Sequence, residues 1–276
     1  MNLSADGSSV IKTVGRRGAL SYEFERAGPR TILTRSSCTS PWHHFPPSYL
    51  DDSGCAYTWL VNPSGGLVGG DHVSVEAQLH AGTHVLMTSP SANRIYRSLS
   101  EPVLQEIRLS VGPEARLEWL PEVTIPFAGS RIRQSIHVDL APGATVVLWD
   151  AIASGRVARG ERWAFASVEN EICIRTSLGG SVVERYRLVP GRLPESIGLV
   201  GSWDYVASLF VIGDEVAPDV WKRLDAVLAA ILEQRPGLVL GAVSTPATSW
   251  LAVKLVARSA PDLTAMLETI WGAVRK

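Results

Sequence analysis

The stretch RIRQSIHVDLAPGATVVLWD (131–150) contains the pattern that decides the fold. In its first half apolar and polar residues alternate, so that Ile132, Ile136 and Val138 share one side of a strand. A turn follows at Gly143, and a second apolar strand begins directly after it. Such alternation predicts half-buried strands and is typical of antiparallel sheets that have one wet face.

The same strand–turn–strand arrangement occurs at four places in the chain. The turn glycines are Gly82, Gly112, Gly143 and Gly180, so the turns are 30, 31 and 37 residues apart. One such unit cannot bury its own apolar face, whereas stacked units can. We therefore predict a mainly β protein in which residues 15–190 form a stacked β-strand and hairpin scaffold that is β-solenoid-like.

Helices are expected only near the end of the chain, where residues 191–276 are predicted to form mixed strands and two helices. The apolar face of the first helix is predicted to consist of Val220, Leu224, Val227, Leu228 and Ile231. That of the second is predicted to consist of Leu263, Met266, Leu267, Ile270, Trp271 and Val274. Residues 238–243 and 250–257 between them are interpreted as a returning hairpin. No segment has the composition of a flexible linker, so we interpret residues 1–276 as a single domain whose residues 1–14 are disordered.

Composition restricts the classes of function. The chain has 276 residues, 46% of them apolar, and a formal net charge of -1. It therefore lacks the basic character typical of proteins that bind nucleic acid or anionic membranes. The first residues do not resemble a signal peptide, and no apolar run approaches the roughly 18 residues of a membrane span. Three widely separated cysteines favour a reducing, cytoplasmic location.

The glycine-rich segment NPSGGLVGGDHVSV (62–75) does not match a nucleotide-binding loop. A Walker loop requires lysine and a hydroxyl residue after its last glycine, but Asp71 follows Gly70. A dinucleotide fingerprint opens a helix, whereas this segment opens a strand. We interpret the glycines as residues that permit positive φ or close backbone approach.

No signature of catalysis is found in the remaining polar residues. The segment TSPSANRIYRS (88–98) lacks the Gly-x-Ser-x-Gly elbow of a serine hydrolase, and the histidines lack zinc-ligand spacing. Carboxylates embedded among apolar residues are Glu118, Glu122, Asp150 and Glu161, and none forms a recognisable acid/base pair. An alternative interpretation is a β-solenoid-like hydrolase or carbohydrate-binding protein, which would need a carboxylate pair or an aromatic platform. A stable metalloprotein is a third class.

Two long blocks resemble a known family. Residues 62–98 are similar to the hallmark region of the urease accessory protein family UreD, called UreH in some organisms, and residues 116–161 resemble its second block. The chain departs from the family at Glu122-Val123, where members commonly carry Gln-Glu, and at Asp150, where glutamate is usual.

The resemblance implies a β-rich, non-enzymatic scaffold or chaperone. With UreF-like and UreG-like partners, the latter a GTPase, such a protein binds apo-urease and assists the GTP-dependent insertion of nickel. It implies no catalytic residue, no stable metal site and no stably bound cofactor, with nickel only in transit. Nucleic acid and membranes are not expected as partners. Residues that match the family motifs and have structural roles are Gly65, Gly66, Gly69, Gly70, Arg94, Tyr96, Arg97, Ser98 and Arg156.

If such a scaffold passes nickel onward, the ligands along the path must be weak enough to release it. The candidates for such a path, or for buried polar roles, are Asp71, Asp150, Glu161, Glu122 and His84. The alternative for the first three is ion pairing with an arginine of the same blocks, namely Arg94, Arg97, Arg156 or Arg162.

Overall fold

The computed structural model describes residues 15–190, 201–213, 216–247 and 249–275. The disorder expected for residues 1–14 lies outside these ranges. In chain order, the strands of the described residues are β1 (Arg17–Ala27), β2 (Arg30–Cys38), β3 (Ala56–Trp59), β4 (His72–Leu79), β5 (His84–Thr88), β6 (Asn93–Ile95), β7 (Val103–Val111), β8 (Arg116–Leu120), β9 (Thr124–Pro126), β10 (Arg131–Leu140), β11 (Thr145–Ala153), β12 (Ser167–Arg175), β13 (Ser181–Leu188), β14 (Tyr205–Gly213), β15 (Val239–Ala247) and β16 (Trp250–Ala257). The helices are α1 (Pro218–Leu232) and α2 (Ala260–Arg275), and one 3-10 turn spans Val157–Arg159.

Most strands belong to two sheets that pack face to face. The first has the order β13-β12-β10-β7-β4-β1-β2, and the main path of the second is β15-β16-β14-β11-β8-β5-β3. The chain alternates between them, because β4 is followed by β5, β7 by β8 and β10 by β11. Each such pair forms one coil, and the short strands β6 and β9 form a third side. The predicted β-solenoid-like class is therefore confirmed.

Successive coils pair in parallel, so the expectation of antiparallel sheets is wrong for the centre of the stack. β4, β7, β10 and β12 are parallel in the first sheet, as are β3, β5, β8 and β11 in the second. Antiparallel pairs occur at both edges of the first sheet, between β1 and β2 and between β12 and β13. In the second sheet they make up the half that consists of β11, β14, β16 and β15. Parallel strands usually lack alternation because both of their faces are covered. Here the outer face of the first sheet is open to water, which preserves the alternation.

The turns within a coil use left-handed backbone at equivalent positions. Strand register aligns Gly82, Glu114 and Gly143, whose φ angles are 66°, 56° and 70°. Gly112 lies outside this set, and a Cβ there would lie 2.6 Å from a carbonyl oxygen of the preceding coil. The fourth turn, near Gly180, joins β12 to β13 as a hairpin within one sheet. Its interpretation as a fourth unit of the same kind is therefore wrong.

The side chains of strand β11 are buried on both faces of the second sheet. This strand therefore contributes to two hydrophobic cores, one between the two sheets and one beneath the helices. Val146 and Leu148 pack between the two sheets. Val147 and Trp149 point the opposite way and pack beneath the helices. Asp150 belongs to the first set by alternation, so its side chain lies between the sheets.

The helices cover the outer face of the second sheet. The buried residues of α2 are Leu263, Met266, Leu267 and Ile270, all of them predicted. The buried residues of α1 are Trp221, Leu228, Ile231 and Leu232. Val220 and Val227 are 36% and 47% exposed, so the predicted face of α1 is wrong by about one residue. The reason is that the large side chain of Trp221 takes the core position. The predicted hairpin is confirmed as β15 and β16.

Candidate functional site

The glycine-rich segment (62–75) lies against the segment 88–98 on the third side of the coil. Leu67 N–H donates a hydrogen bond to the Arg94 carbonyl oxygen at 2.8 Å. A Cβ on Gly66 would lie 2.6 Å from that same oxygen. Gly65 and Gly70 have φ angles of 79° and 90°, which favour glycine. A Cβ on Gly69 would lie 2.7 Å from a backbone carbonyl oxygen. These glycines therefore allow close approach of two backbones.

Asp71 is buried, and its carboxylate fastens the glycine-rich segment. Oδ1 accepts a hydrogen bond from Arg16 N–H and Oδ2 accepts one from Val68 N–H, each at 2.9 Å. Both oxygens are thus engaged by backbone donors and not by the arginines considered above. This geometry gives Asp71 a structural contact at the turn.

Glu161 forms the ion pair that the alternative interpretation describes. Its carboxylate accepts hydrogen bonds from Arg156 Nε at 2.8 Å, from Arg156 Nη2, and from Ala128 N–H at 3.2 Å. The hydrogen bonds from Arg156 hold the pKa of Glu161 below its usual range. The Arg156 guanidinium lies 4.4 Å from the ring of Phe127, which Tyr96 contacts edge-on at 5.0 Å. The cluster joins the two family-like blocks.

Arg97 and Ser98 hold the adjoining turn. Ser98 Oγ accepts a hydrogen bond from Arg131 N–H at 3.2 Å, and Ser98 N–H donates to the Gly129 carbonyl oxygen at 3.3 Å. The Arg97 side chain covers Gly129, where a Cβ would lie 3.3 Å from it. Both residues therefore connect successive coils.

A row of amide side chains runs between the two sheets. Gln105, Gln134 and Asn170 occupy matching positions of β7, β10 and β12. Asn93 donates a hydrogen bond to Gln105 at 3.0 Å, and Gln134 donates one to Asn170 at 3.0 Å. We define the internal polar row as Asn93, Gln105, Gln134, Asn170, Asp150 and Tyr186. At this one level of three successive coils, polar side chains take the place of the apolar side chains that pack between the two sheets elsewhere.

Asp150 lies at the centre of the internal polar row. Oδ1 accepts a hydrogen bond from Gln134 at 2.9 Å, and Oδ2 accepts bonds from Asn170 at 2.9 Å and the Tyr186 hydroxyl at 3.4 Å. These donors are neutral, and neutral donors only partly offset the burial of a charge. Burial accordingly raises the pKa of Asp150 to about 6. A carboxylate in this setting attracts a cation when ionised.

One end of the row leads to a second group of polar side chains, the terminal cluster, which consists of Ser208, Glu184 and Lys254. Ser208 lies directly opposite Asp150 in the pairing of β11 with β14. Its hydroxyl donates to Glu184 at 2.8 Å and accepts from Lys254 at 2.8 Å. Lys254 also forms an ion pair with Glu184.

A cavity of about 70 Å³ connects the row with the surface. Its outer lining includes Gly65 and Ser91, which are exposed, and its inner lining includes Gln134 and Asp150. A water molecule needs roughly 10–15 Å³ by this measure, so the cavity has room for several water-sized species. The two loop segments of the first family-like block thus surround an entrance to the row.

The sequence profile of the UreD urease accessory protein family matches residues 16–276. The chain belongs to the UreD family. A urease accessory protein UreD of Deinococcus radiodurans is 39% identical over 210 residues, which cover 74% of this chain and 75% of the relative. One of Delftia acidovorans is 32% identical over 275 residues, covering 95% and 90%. This membership favours the accessory-protein interpretation over a hydrolase or a carbohydrate-binding protein.

Within the portion of this UreD-family chain that the structure describes, no helix has both the length and the apolar character needed to cross a membrane.

Glu122 lies at the side of the cavity. It also lines a groove of about 400 Å³ beneath α2, together with Glu268 and Trp271. Burial, and then the nearby Glu268 carboxylate, raise the pKa of Glu122. Glu122 is therefore placed near the entrance, outside the internal polar row.

His84 belongs to a different cluster, which fastens α2 to the second sheet. Its Nε2 lies 2.6 Å from the fully buried carboxylate of Glu118. Trp271 Nε1 donates to the same carboxylate at 2.5 Å, and Arg275 lies 3.6 Å from it. Burial opposes ionisation of Glu118, but the hydrogen bond with His84, the Arg116 guanidinium at 3.2 Å and the hydrogen bond from Trp271 outweigh it, and the pKa of Glu118 is lowered. His84 thus has a structural contact in this UreD-family protein.

One group of described side chains outside the row has the composition of a metal site. The ligand atoms of Glu23, Glu25 and His80 lie within 4.8 Å of one another. Glu23 also forms an ion pair with Arg35 at 3.1 Å and contacts His80 at 2.8 Å. The group lies on the outer face of the first sheet and is separate from the internal polar row.

Sequence reasoning found Asp150 and missed the amides that surround it. The sequence does contain a signal for these amides, because Gln134 and Asn170 interrupt the apolar faces of their strands. Gln134 aligns with Gln105 of the preceding coil and with Asn170 of the following one. These positions are 29 and 36 residues apart, the same spacing as the coils. A polar residue that recurs on the inward face of successive coils predicts a polar interior in a UreD-family chain.

Proposed function

We propose that this protein is a non-enzymatic scaffold for assembling the metal centre of urease. Together with a UreF-like protein and a UreG-like GTPase it binds apo-urease, and the complex inserts nickel in a GTP-dependent step. Membership of the UreD family and the lack of a nucleotide-binding motif in the sequence support this role. Three unpaired cysteines, Cys38, Cys55 and Cys173, favour the cytoplasm as its location.

The internal polar row is the passage for nickel in this proposal. The observation that carries it is the carboxylate of Asp150, enclosed by neutral donors at the inner end of a cavity that reaches the surface. Amide, hydroxyl and carboxylate oxygens hold divalent transition metals less tightly than thiolates or closed imidazole sites do. An ion can therefore enter such a row without being trapped in it.

The other candidates have different roles in this proposal. Glu122 attracts cations at the entrance. Asp71 and Glu161 shape the passage by holding its walls, and His84 holds α2 on the sheet. The substitutions of these residues are thus expected to act through folding, with the exception of Glu122.

The test is urease activation in cells that express urease, the other accessory proteins and either wild-type chain or Asp150→Asn. Asp139→Asn is the matched control, because Asp139 lies on the outer face of β10 and forms an exposed ion pair with Arg175. We expect Asp150→Asn to remain soluble and bound to its partners, with lower urease activity and lower nickel content, and Asp139→Asn to behave as wild type.

Full nickel content and activity with Asp150→Asn would refute the passage. Full urease activation in cells without the chain, at ordinary nickel concentrations, would refute the accessory role itself.

A further inference from the structure

The terminal cluster and Asp150 bring two negative groups and one positive group together. Asp150 lies opposite Ser208, and Ser208 donates a hydrogen bond to Glu184 at 2.8 Å. Lys254 lies opposite Ser208 on the other side, in β16. When both carboxylates are ionised, the three charged groups have one negative charge in excess.

The ammonium of Lys254 contacts the oxygen atoms of two side chains in the terminal cluster. Nζ contacts the Ser208 hydroxyl at 2.8 Å and the Glu184 carboxylate, and it lies 5.1 Å from the ring of Phe210. The Lys254 side chain is 50% exposed, whereas that of Glu184 is 16% exposed. The ammonium can therefore move into water on its flexible stem while the carboxylate stays in place.

Lys254 and the two carboxylates share one electrostatic environment. Burial is the main cause of the raised pKa of Asp150, the Glu184 carboxylate raises it further, and Lys254 lowers it. One ammonium offsets only one of the two negative charges. A divalent cation in the same position would offset both.

We propose that Asp150, Glu184 and Ser208 form a releasable site for a divalent cation, and that Lys254 occupies this site until the cation arrives. The cation displaces the ammonium into water, and the return of the ammonium favours release. The natural ion is nickel if the proposed function holds, so this inference rests on that function for the identity of the ion. The Lys254 side chain is then the residue that keeps the site weak.

The first test measures the affinity of the purified protein for Ni²⁺ by equilibrium dialysis at neutral pH. Removal of the competing charge in Lys254→Met is expected to tighten binding about tenfold or more. The matched control is Lys222→Met, because Lys222 is exposed on α1 and distant from the row in the fold. Combining Lys254→Met with Glu184→Gln should abolish the gain. Equal or weaker nickel binding by Lys254→Met would overturn the site.

A second test uses the wild-type protein and does not depend on the folding of a variant. Acetylation of lysine amines by acetic anhydride, read by mass spectrometry, reports how accessible each ammonium is. Saturating Ni²⁺ is expected to accelerate labelling of Lys254 relative to Lys222. Unchanged relative labelling would also overturn the site.

Neither readout involves urease, so the inference and the proposed function fail separately. Tighter binding and faster labelling, together with normal urease loading by Asp150→Asn, would keep the cation site and remove the passage. Unchanged nickel binding and unchanged labelling, together with reduced urease loading by Asp150→Asn, would remove the cation site and keep the passage.

Discussion

Asp150→Asn is expected to make the protein more stable at neutral pH while impairing nickel delivery. The substitution keeps the shape of the side chain and removes its charge. Gln134 and Asn170 are amides that can turn over, so each can present an oxygen or an N–H group to the new amide. The change therefore tests the cost of the buried charge with little disturbance of packing.

The magnitude follows from the pKa of Asp150. Burial raises it from 3.8 to about 6, a difference of roughly two pH units, and each unit corresponds to about 1.4 kcal/mol. Ionised Asp150 thus destabilises the folded protein by about 3 kcal/mol relative to the protonated form. Between about pH 4 and pH 6 the folded state keeps a proton that the unfolded chain has released. The free energy of unfolding of the wild type therefore falls as pH rises through this window, and asparagine removes that fall.

The assay is urea unfolding followed by tryptophan fluorescence, with wild type, Asp150→Asn and Asp139→Asn compared at several pH values. The stability advantage of Asp150→Asn should be near zero at about pH 4 and reach about 3 kcal/mol by about pH 7. Asp139→Asn should show no such trend, because Asp139 is exposed. A difference that does not vary with pH, or a variant that is less stable at neutral pH, would refute the reasoning.

Three further outcomes are expected. Asp71→Asn should lower the free energy of unfolding by about 1–3 kcal/mol, because a charged acceptor of two backbone N–H groups is weakened; thermal unfolding tests this, and nickel delivery per folded molecule should be unchanged. Glu118→Ala should lower the free energy of unfolding by about 3–5 kcal/mol in urea unfolding, since it leaves the half-buried His84, Arg116 and Arg275 without their counter-charge. Arg175→Ala, which breaks an exposed pair, should cost less than about 1 kcal/mol, and equal effects of the two substitutions would contradict this. Gly66→Ala should abolish soluble protein because its Cβ would lie 2.6 Å from a backbone oxygen. Gly82→Ala, with nothing within 4 Å of its Cβ, should lower stability by about 1 kcal/mol, so similar yields would argue against the steric reason.

The sequence predicted the stacked strands because alternation and turn spacing are local properties. It did not predict the direction of pairing, because alternation reports only which side of a strand is wet. Here the first sheet has one open face although its central strands are parallel. The turn positions were similarly ambiguous: the pattern named Gly112 as a turn glycine, whereas Glu114 is the residue of that turn with left-handed backbone.

The candidate site was predictable in part. Asp150 was found because a carboxylate in an apolar run is conspicuous. Glu184 and Lys254 were not found, since they lie on strands that are 70 residues apart in the chain and only the packing of the two sheets brings them together. Asp71 could not be distinguished from a metal-path residue by sequence, because its partners are backbone N–H groups.

The reversal of the chain at both edges of the first sheet limits the length of the molecule. A stack of parallel coils has no inherent end, because its last strand offers free N–H and C=O groups to the next copy. In this chain β2 and β13 run against their neighbours and present arginines such as Arg35, Arg185 and Arg187 at the edges. An incoming coil would therefore meet the wrong strand direction and a row of charges. The two edge strands thus protect the protein against end-to-end growth into fibres.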